Sequence, residues 1–408
     1  MSNVVEKFIK YIKYDTMSDE NSPTTPTTPG QMIFAEELTR ELKDMGMQDV
    51  SLDERGYIMA TLPSNVDKEV PVIGFIAHMD TSPEVSGAGV NPKFVENYNG
   101  EDIILDEENG IILSPKEFPQ LRNYVGKTVI TTDGRTLLGA DDKAGIAEIM
   151  AAMEILIDNQ KIKHGAIRVA FTTDEEIGKI GEHFDVEKFN ASLAYTLDGE
   201  GVGELKYENF NAASAKITIH GKSVFTGEAK GRMINSLRIG SEIVSMFPHS
   251  ETPEETEGYE GFYHLEAFSG KVEEAKILYL IRDFDDKKFE ERINFVREVV
   301  RKINKKYGER TTTVEITEQY RNMKKKIESV KYIVDIAIEA MKEVNVFPTV
   351  DPLRGGTDGA KLSHKGLPTP NLFAGGHNFH SKYEFISTYA MEKAVEVVLK
   401  IIDLFAEL

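Results

Sequence analysis

Three apolar runs of this chain each lead directly into acidic residues or a histidine, and this repeated pattern constrains the fold most. The runs and the residues that follow them are Val70–Ala77 with His78 and Asp80, Ala166–Thr172 with Glu175 and Glu176, and Leu193–Leu197 with Asp198. Short, almost wholly apolar runs are typical of strands buried on both faces of a parallel sheet. Such sheets bind ligands beyond the carboxyl ends of their strands. The pattern therefore predicts an α/β fold with a mainly parallel sheet and a functional site at its strand ends.

The stretch 138–145 places two adjacent carboxylates, Asp141 and Asp142, between glycines. A run with apolar residues at helical spacing follows, so this pair lies where a loop enters a helix. An aspartate at this position can cap the helix. It can also bind a ligand, because its small neighbours allow close approach to the backbone. The recurrence of carboxylates and histidines at other strand ends favours the ligand role.

Composition excludes several classes of function. The 408 residues suffice for two or three domains, and a formal net charge of -20 argues against nucleic acid or anionic lipid as partners. The chain has no cysteine, so any metal would be bound by oxygen and nitrogen atoms. No apolar run is long enough to span a membrane, and the apolar residues of 1–14 follow helical spacing instead of forming a secretory core. These features predict a cytoplasmic protein.

The order of elements changes after residue 208. The predicted elements there are strand Ala212–His220, helix Met233–Met246, hairpin strands Gly261–Phe268 and Ala275–Phe284, helix Lys287–Lys305 and strand Thr311–Thr317. This βαββαβ order is the ferredoxin-like plan. Alternating strands and helices return from about residue 320. We therefore predict a discontinuous catalytic domain, 1–208 and 319–408, with an inserted ferredoxin-like domain at 209–318.

The residues at the strand ends have the chemistry of a dinuclear metal site. They are His78, Asp80, Asp141, Glu175, Glu176, Asp198 and His380. Two histidines with several carboxylates suit two divalent ions that share one carboxylate, and Zn²⁺ accepts both nitrogen and oxygen ligands. Three carboxylates and one hydroxide would balance the charge of two Zn²⁺, which leaves one glutamate, Glu175, as a general base.

Two positions in this set need separate comment. Asp80 follows His78 by two residues, so in a strand both side chains point to the same face and the carboxylate can orient the imidazole. A structural hydrogen bond between the two is the alternative. His377 shares a glycine-rich loop with His380, and periodicity does not distinguish between them.

The ordered motifs resemble the peptidase T family, the cytoplasmic tripeptide aminopeptidases of the co-catalytic dizinc aminopeptidase/carboxypeptidase clan. The matching segments are His78–Asp80, Gly139–Gly145, Asp174–Gly178, Asp198-Gly199, Asn209–Ala213, Glu257–His264, Ile281–Phe284, Arg354–Ala360 and His380. The similarity runs nearly end to end, and the motifs occur in the family's order. It implies an enzyme that releases the N-terminal residue from tripeptides.

The resemblance also implies roles for individual residues. Asp141 would bridge two Zn²⁺ per subunit, with Co²⁺ or Mn²⁺ as substitutes. The remaining metal ligands would be His78 and Asp198 at one site and Glu176 and His380 at the other. Glu175 would deprotonate the attacking water and pass its proton to the leaving amine. Asp80 would orient its histidine.

Further implications concern the substrate and the second domain. Arg354 and Asn235 match positions expected to contact a short peptide, and a guanidinium suits a carboxylate. A surface salt bridge for Arg354 and a helix-surface amide for Asn235 are the alternatives. The inserted domain resembles the family's lid and dimerisation domain, which implies a homodimer. Phe225 stands where the family motif H/V-G-x-x-V-H-P-G has the histidine that reaches the substrate carbonyl across the dimer.

Two other functions remain open at this point. A related dipeptidase or N-acyl amino acid hydrolase would use the same metals on a different small substrate. A metal-binding dimer with impaired catalysis is suggested by Phe225, because a phenyl ring cannot donate a hydrogen bond.

Overall fold

A computed structural model describes residues 2–179 and 183–408 and divides the chain into two compact units. The first unit comprises Met1–Tyr207, Lys325–Asp351 and Lys361–Leu408, and the second comprises Glu208–Lys324 and Pro352–Ala360. The chain thus leaves the first unit and returns to it twice. The second unit includes a segment, 352–360, that the sequence-based division assigned to the catalytic domain.

The described helices and strands are numbered here along the chain. The helices are α1 Asn3–Tyr11, α2 Pro29–Met45, α3 Ala140–Asp158, α4 Val186–Phe189, α5 Ser236–Ser245, α6 Asp286–Tyr307, α7 Lys324–Glu328, α8 Tyr332–Glu343, α9 Asp358–His364 and α10 Thr388–Glu407. The strands are β1 Gln48–Leu52, β2 Ile58–Leu62, β3 Ile73–His78, β4 Lys93–Val95, β5 Ile103–Asp106, β6 Ile111–Leu113, β7 Val129–Thr131, β8 Ile167–Thr172, β9 Leu193–Gly199, β10 Leu205–Lys206, β11 Asn211–His220, β12 Phe262–Gly270, β13 Glu274–Asp283, β14 Thr312–Tyr320, β15 Asn371–Phe373, β16 Gly376–His377 and β17 Phe385–Ser387.

Seven strands of the first unit form one sheet in the order β1-β2-β8-β3-β9-β15-β10. The central pairings β8–β3, β3–β9 and β9–β15 are parallel, whereas β1–β2, β2–β8 and β15–β10 are antiparallel. The sheet is therefore mixed, and the prediction of a mainly parallel sheet is correct only for its centre. In the short turn between β1 and β2, Asp53 accepts the backbone N–H groups of Arg55 and Tyr57. A connection this short permits only antiparallel pairing.

The centre of this sheet places the site residues at one edge. Every residue of β3 is buried, as expected for a strand covered on both faces. Its last residue, His78, pairs with Thr172, the last residue of β8. Since parallel strands end at the same edge, the residues that follow β8 and those near the end of β9 lie on the side of His78.

The segment between β3 and α3 contains short strands that belong to two smaller sheets. β5 and β6 make a two-stranded hairpin. β4 and β7 join two strands from much later in the chain in a four-stranded sheet with the order β16-β17-β7-β4. This sheet fixes the loop 378–384 between β16 and β17.

The second unit contains a four-stranded antiparallel sheet with the order β12-β13-β11-β14. Along the chain its elements follow the order β11-α5-β12-β13-α6-β14. Alternate residues of β11 are buried, and its apolar face shares a core with β13 and the two helices. Asp285 caps α6 by accepting the backbone N–H of Lys288 at 2.9 Å.

Among the described residues, no helix is both long enough and apolar enough to cross a bilayer.

Candidate metal centre and active site

Two groups of three side chains meet at Asp141. They are His78, Asp141 and Asp198, and Asp141, Glu176 and His380, and within each group the ligand atoms lie within 4.8 Å of one another. Nε2 of His78 is 2.9 Å from Oδ1 of Asp141 and 3.5 Å from Oδ1 of Asp198. Nε2 of His380 is 3.2 Å from Oδ2 of Asp141 and 2.8 Å from Oε2 of Glu176. The five predicted ligands are therefore brought together, with each oxygen of Asp141 facing one histidine.

The adjacent aspartates at the start of α3 have different contacts. The oxygens of Asp141 face histidines and not the helix. Asp142 instead accepts the backbone N–H of Gly145 at 3.2 Å and that of His78 at 3.1 Å. The peptide bond between the two aspartates is cis. Asp142 is thus the residue that caps the helix through Gly145, whereas the carboxylate of Asp141 points toward His78 and His380.

The turn before Asp141 is bound by a buried carboxylate that the sequence analysis did not identify. Oε2 of Glu384 accepts the backbone N–H groups of Leu138 at 2.6 Å and Gly139 at 2.8 Å, and Oε1 accepts that of Asp141 at 3.1 Å. Burial raises the pKa of Glu384 to about 7.

Asp80 contacts more than the histidine it was expected to orient. Nδ1 of His78 lies 3.0 Å from the backbone oxygen of Asp80 and 3.5 Å from its carboxylate Oδ1. The carboxylate accepts the backbone N–H groups of Glu175 at 2.9 Å and Glu176 at 3.1 Å, and the hydroxyl of Ser18 at 2.9 Å. Asp80 thereby connects the end of β3 to the loop that follows β8.

A second buried acid, Asp174, lies at the start of that loop and also holds it in place. Its backbone has a φ of +57°, in the left-handed region. Its carboxylate accepts the backbone N–H of Thr27 at 3.0 Å and the amide of Gln31 at 2.7 Å. Asp80 and Asp174 therefore position the backbone that carries Glu175 and Glu176.

Close packing of these groups perturbs their ionisation. Burial raises the pKa of Asp198 to about 7 and that of Glu176 to about 9. Hydrogen bonds to Asp141 and Glu176 raise the pKa of His380 to about 11. Burial disfavours ionised Asp141, but the hydrogen bonds from His380 and His78 outweigh it and lower the pKa of that carboxylate.

Glu175 and Glu84 lie beside the two ligand groups. Glu175 is half-buried, and burial raises its pKa above the usual value for a glutamate. Oε2 of Glu84 lies 3.3 Å from Nδ1 of His380, on the opposite side of the imidazole from the cluster. The sequence analysis did not identify Glu84.

His377 does not reach the ligand groups. Its Nε2 is hydrogen-bonded to the hydroxyl of Tyr124 at 2.7 Å, and its ring stacks on Phe385. Burial lowers the pKa of His377 to about 4. Of the two histidines in the glycine-rich loop, His380 is therefore the one placed at the cluster.

The predicted substrate contacts lie in the second unit. Arg354 donates to the backbone oxygens of Gly258 at 2.8 Å and Glu260 at 2.9 Å and to the hydroxyl of Thr256 at 3.0 Å. Asn235 caps α5, because its Oδ1 accepts the backbone N–H groups of residues 237 and 238. Phe225 is 76% exposed.

The donor set fits two divalent cations. Each group offers one imidazole nitrogen and carboxylate oxygens, a combination that Zn²⁺ accepts in four-coordinate sites. Oε1 of Glu176 is buried without a hydrogen-bond partner in the described part of the chain. Buried polar atoms normally have a partner, so this oxygen favours a bound cation.

Comparison with known proteins agrees with this chemistry. The model of the family described as peptidase family M20/M25/M40 matches residues 131–404. Peptidase T of Clostridium novyi is 61% identical over 407 residues, covering 100% of both chains.

Solved structures show the same fold. The aminopeptidase PepT of Bacillus cereus is 23% identical, with a TM-score of 0.79 and coverage of 99% of this chain and 98% of that one. The YXEP protein of Bacillus subtilis, described as a dinuclear metal binding peptidase from the M20 family, is 13% identical, with a TM-score of 0.65 and coverage of 99% and 98%.

Proposed function

Because this chain belongs to peptidase family M20/M25/M40 and to the peptidase T proteins within it, we propose that the cluster around Asp141 is the dinuclear metal centre of a peptidase. The chain is a metal-dependent aminopeptidase that acts on tripeptides. The observation that carries the metal centre is the pair of ligand groups that share Asp141. The alternative substrates, dipeptides and N-acyl amino acids, have no observation in their favour.

The chemistry of the centre follows from its donor set. His78 and Asp198 would bind one cation and Glu176 and His380 the other, with Asp141 shared between them. Two Zn²⁺ suit these nitrogen and oxygen donors, and Co²⁺ or Mn²⁺ would substitute. When bound, the two cations supply an activated water and polarise the scissile carbonyl.

Glu175 is the proposed general base. Asp80 accepts the backbone N–H of Glu175, which holds this residue next to the ligand Glu176. The raised pKa of Glu175 brings it closer to neutral pH, which favours taking a proton from water and returning it to the leaving amine. A base in this position typically accelerates the reaction by about 10²–10⁴-fold.

The second unit would recognise the substrate and the partner subunit. Its βαββαβ order supports a ferredoxin-like lid and dimerisation domain, and we propose a homodimer formed through it. Arg354 would bind the C-terminal carboxylate of a short peptide. This would require it to exchange some of its present backbone contacts. Oδ1 of Asn235 caps a helix, so its amide group is the part proposed to contact substrate. The predicted cytoplasmic location stays a prediction.

A substrate panel with metal removal tests the function. Hydrolysis of tripeptides should be lost after chelation and restored by Zn²⁺, Co²⁺ or Mn²⁺, and it should require a free amino terminus. Full activity after verified removal of all metal would refute the dinuclear centre. Preference for dipeptides or for N-acylated substrates would replace the tripeptidase assignment.

A second arm tests Arg354. Arg354→Ala should weaken binding of free-acid tripeptides by about 1.5–3 kcal/mol, the usual value of a hydrogen bond to a charged group. Amidated tripeptides should be unaffected. The matched control is Arg310→Ala, which removes an arginine outside the predicted substrate contacts. If the native protein cleaves amidated and free-acid tripeptides equally well, Arg354 has no role in carboxylate binding.

A further inference from the structure

Glu384 stands out among the buried acids because both of its oxygens contact one turn of backbone. The donors are the N–H groups of Leu138, Gly139 and Asp141, at 2.6, 2.8 and 3.1 Å. Its side chain is only 1% exposed. Hydrogen bonds between a carboxylate and backbone N–H groups are short and strong, and burial strengthens them further. Glu384 therefore fixes the backbone on both sides of residue 140.

This turn determines where the shared ligand points. Gly139 adopts a φ of +81°, a conformation that glycine adopts without strain. Asp141 follows it and directs its two oxygens at different histidines, His78 and His380. A rotation of the Asp141 backbone would move both oxygens together. The interaction with Glu384 therefore bears on both ligand groups at once.

We propose that Glu384 is a positioning residue that sets the affinity of the protein for both metal ions by orienting Asp141. This inference rests on the proposed dinuclear centre. The loop 378–384 then has two functions, since it supplies His380 to one ion and Glu384 to the backbone of the ligand shared by both. Loss of His380 should weaken the binding of one ion, whereas loss of Glu384 should weaken the binding of both.

Another buried glutamate provides a matched control. Glu148 lies on α3, is fully buried, and neither of its carboxylate oxygens has a hydrogen-bond partner among the described residues. Glu384→Gln and Glu148→Gln are therefore the same chemical change at two buried sites. In Glu384→Gln the side-chain NH₂ would face backbone N–H groups that donate to the carboxylate in the native protein. Because both groups are donors, those hydrogen bonds would be lost.

The test measures Zn²⁺ binding directly, by titration against a chromophoric chelator, together with the rise in unfolding temperature that Zn²⁺ produces. In Glu384→Gln we expect at least tenfold weaker binding of both ions and a smaller temperature rise than in the native protein. Glu148→Gln should match the native protein in both measurements. At saturating Zn²⁺ the kcat of Glu384→Gln should recover, with KM unchanged.

Three results would overturn the proposal. The first is native affinity for both ions in a folded Glu384→Gln. The second is weaker binding of only one ion in that variant. The third is an equal loss of Zn²⁺ affinity in Glu148→Gln. If Glu384→Gln does not fold, Glu384→Asp keeps the charge but shortens the side chain, and native affinity in that variant overturns the proposal as well. A native protein that binds two ions but does not cleave tripeptides would refute the proposed function and leave this inference intact.

Discussion

The carboxylate of Asp80 accepts the backbone N–H of Glu176 at 3.1 Å, and its other oxygen accepts that of Glu175 at 2.9 Å. One side chain at the end of β3 thereby determines the position of a proposed metal ligand and of the proposed base. The imidazole of His78 lies nearer to the backbone oxygen of Asp80 than to its carboxylate. Asp80 would therefore influence catalysis in two ways, through His78 at the end of β3 and through the loop that carries Glu175 and Glu176 after β8.

Asp80→Asn should lower kcat about tenfold while most of the metal remains bound. Asparagine has one acceptor oxygen, so one of the two backbone N–H groups loses its partner, at a cost of about 1–3 kcal/mol. Steady-state kinetics and metal analysis on the same sample measure both effects. Ser18→Ala is the control, because it removes the third bond to Asp80 and leaves the backbone bonds in place. Equal losses in the two variants would contradict this role.

Glu175→Gln should retain both ions but lose about 10²–10⁴-fold in kcat, because glutamine cannot accept the proton from water. The change preserves the size of the side chain. Metal analysis and kinetics on tripeptides separate the two effects. Glu187→Gln, on the short helix α4, is a control away from the cluster. Near-native turnover of Glu175→Gln would show that another group is the base.

Asp141→Ala should lose both ions, whereas His380→Ala should lose mainly one. The reason is that each oxygen of Asp141 faces a different ligand group, while His380 belongs to one. Metal content after exhaustive dialysis against metal-free buffer gives the stoichiometry. Retention of two ions by Asp141→Ala would exclude a bridging role.

His377 should make the folded protein sensitive to acid. Burial lowers the pKa of His377 to about 4, below its ordinary value of 6.5, so the unfolded chain binds this proton more readily. Stability should therefore fall as pH drops from 6.5 towards 4, by at most about 1.4 kcal/mol per pH unit from this group. His377→Gln should reduce that slope in urea unfolding measured across the range. The exposed His249→Gln should not, and equal slopes in all three proteins would contradict the assignment.

Phe225→His should raise turnover several-fold without changing metal content, if position 225 faces the substrate carbonyl of a partner subunit. The loss of an oxyanion donor costs about 10²–10³ in turnover in other hydrolases. The 76% exposure of Phe225 is compatible with a role in a partner's site. Phe225→Ala removes the ring without adding a donor and is the control. Rapid turnover by the native protein, unchanged in Phe225→His, would place the oxyanion contact elsewhere.

The sequence predicts the strand ends of the site well because their signals are local. Buried strands β3, β8 and β9 are visible as apolar runs, and the ligands lie within or just after those runs. The helical pattern that starts near Asp141 corresponds to α3. The antiparallel pairing of the outer strands was not predicted, because strand direction depends on long-range pairing that no single segment specifies.

The supporting residues were missed for a related reason. The backbone groups that Glu384 binds precede it in the chain by 243 to 246 positions. The groups that Asp174 binds precede it by 143 to 147 positions. Backbone N–H groups occur at every residue except proline, so the partners of a buried acid leave no mark in the sequence. Periodicity likewise did not distinguish His377 from His380; the family resemblance favoured His380, which the fold places at the cluster.

The distance in sequence between Asp141 and His380, 239 positions, has a consequence for synthesis on the ribosome. Chains emerge from the amino end, and domains generally fold as units while synthesis continues. His78, Asp141 and Asp198 are translated before the second unit, whereas His380 and Glu384, which binds the turn before Asp141, are translated after it. A nascent chain would therefore lack part of the metal centre until these later residues have been translated, and peptide hydrolysis would begin only then.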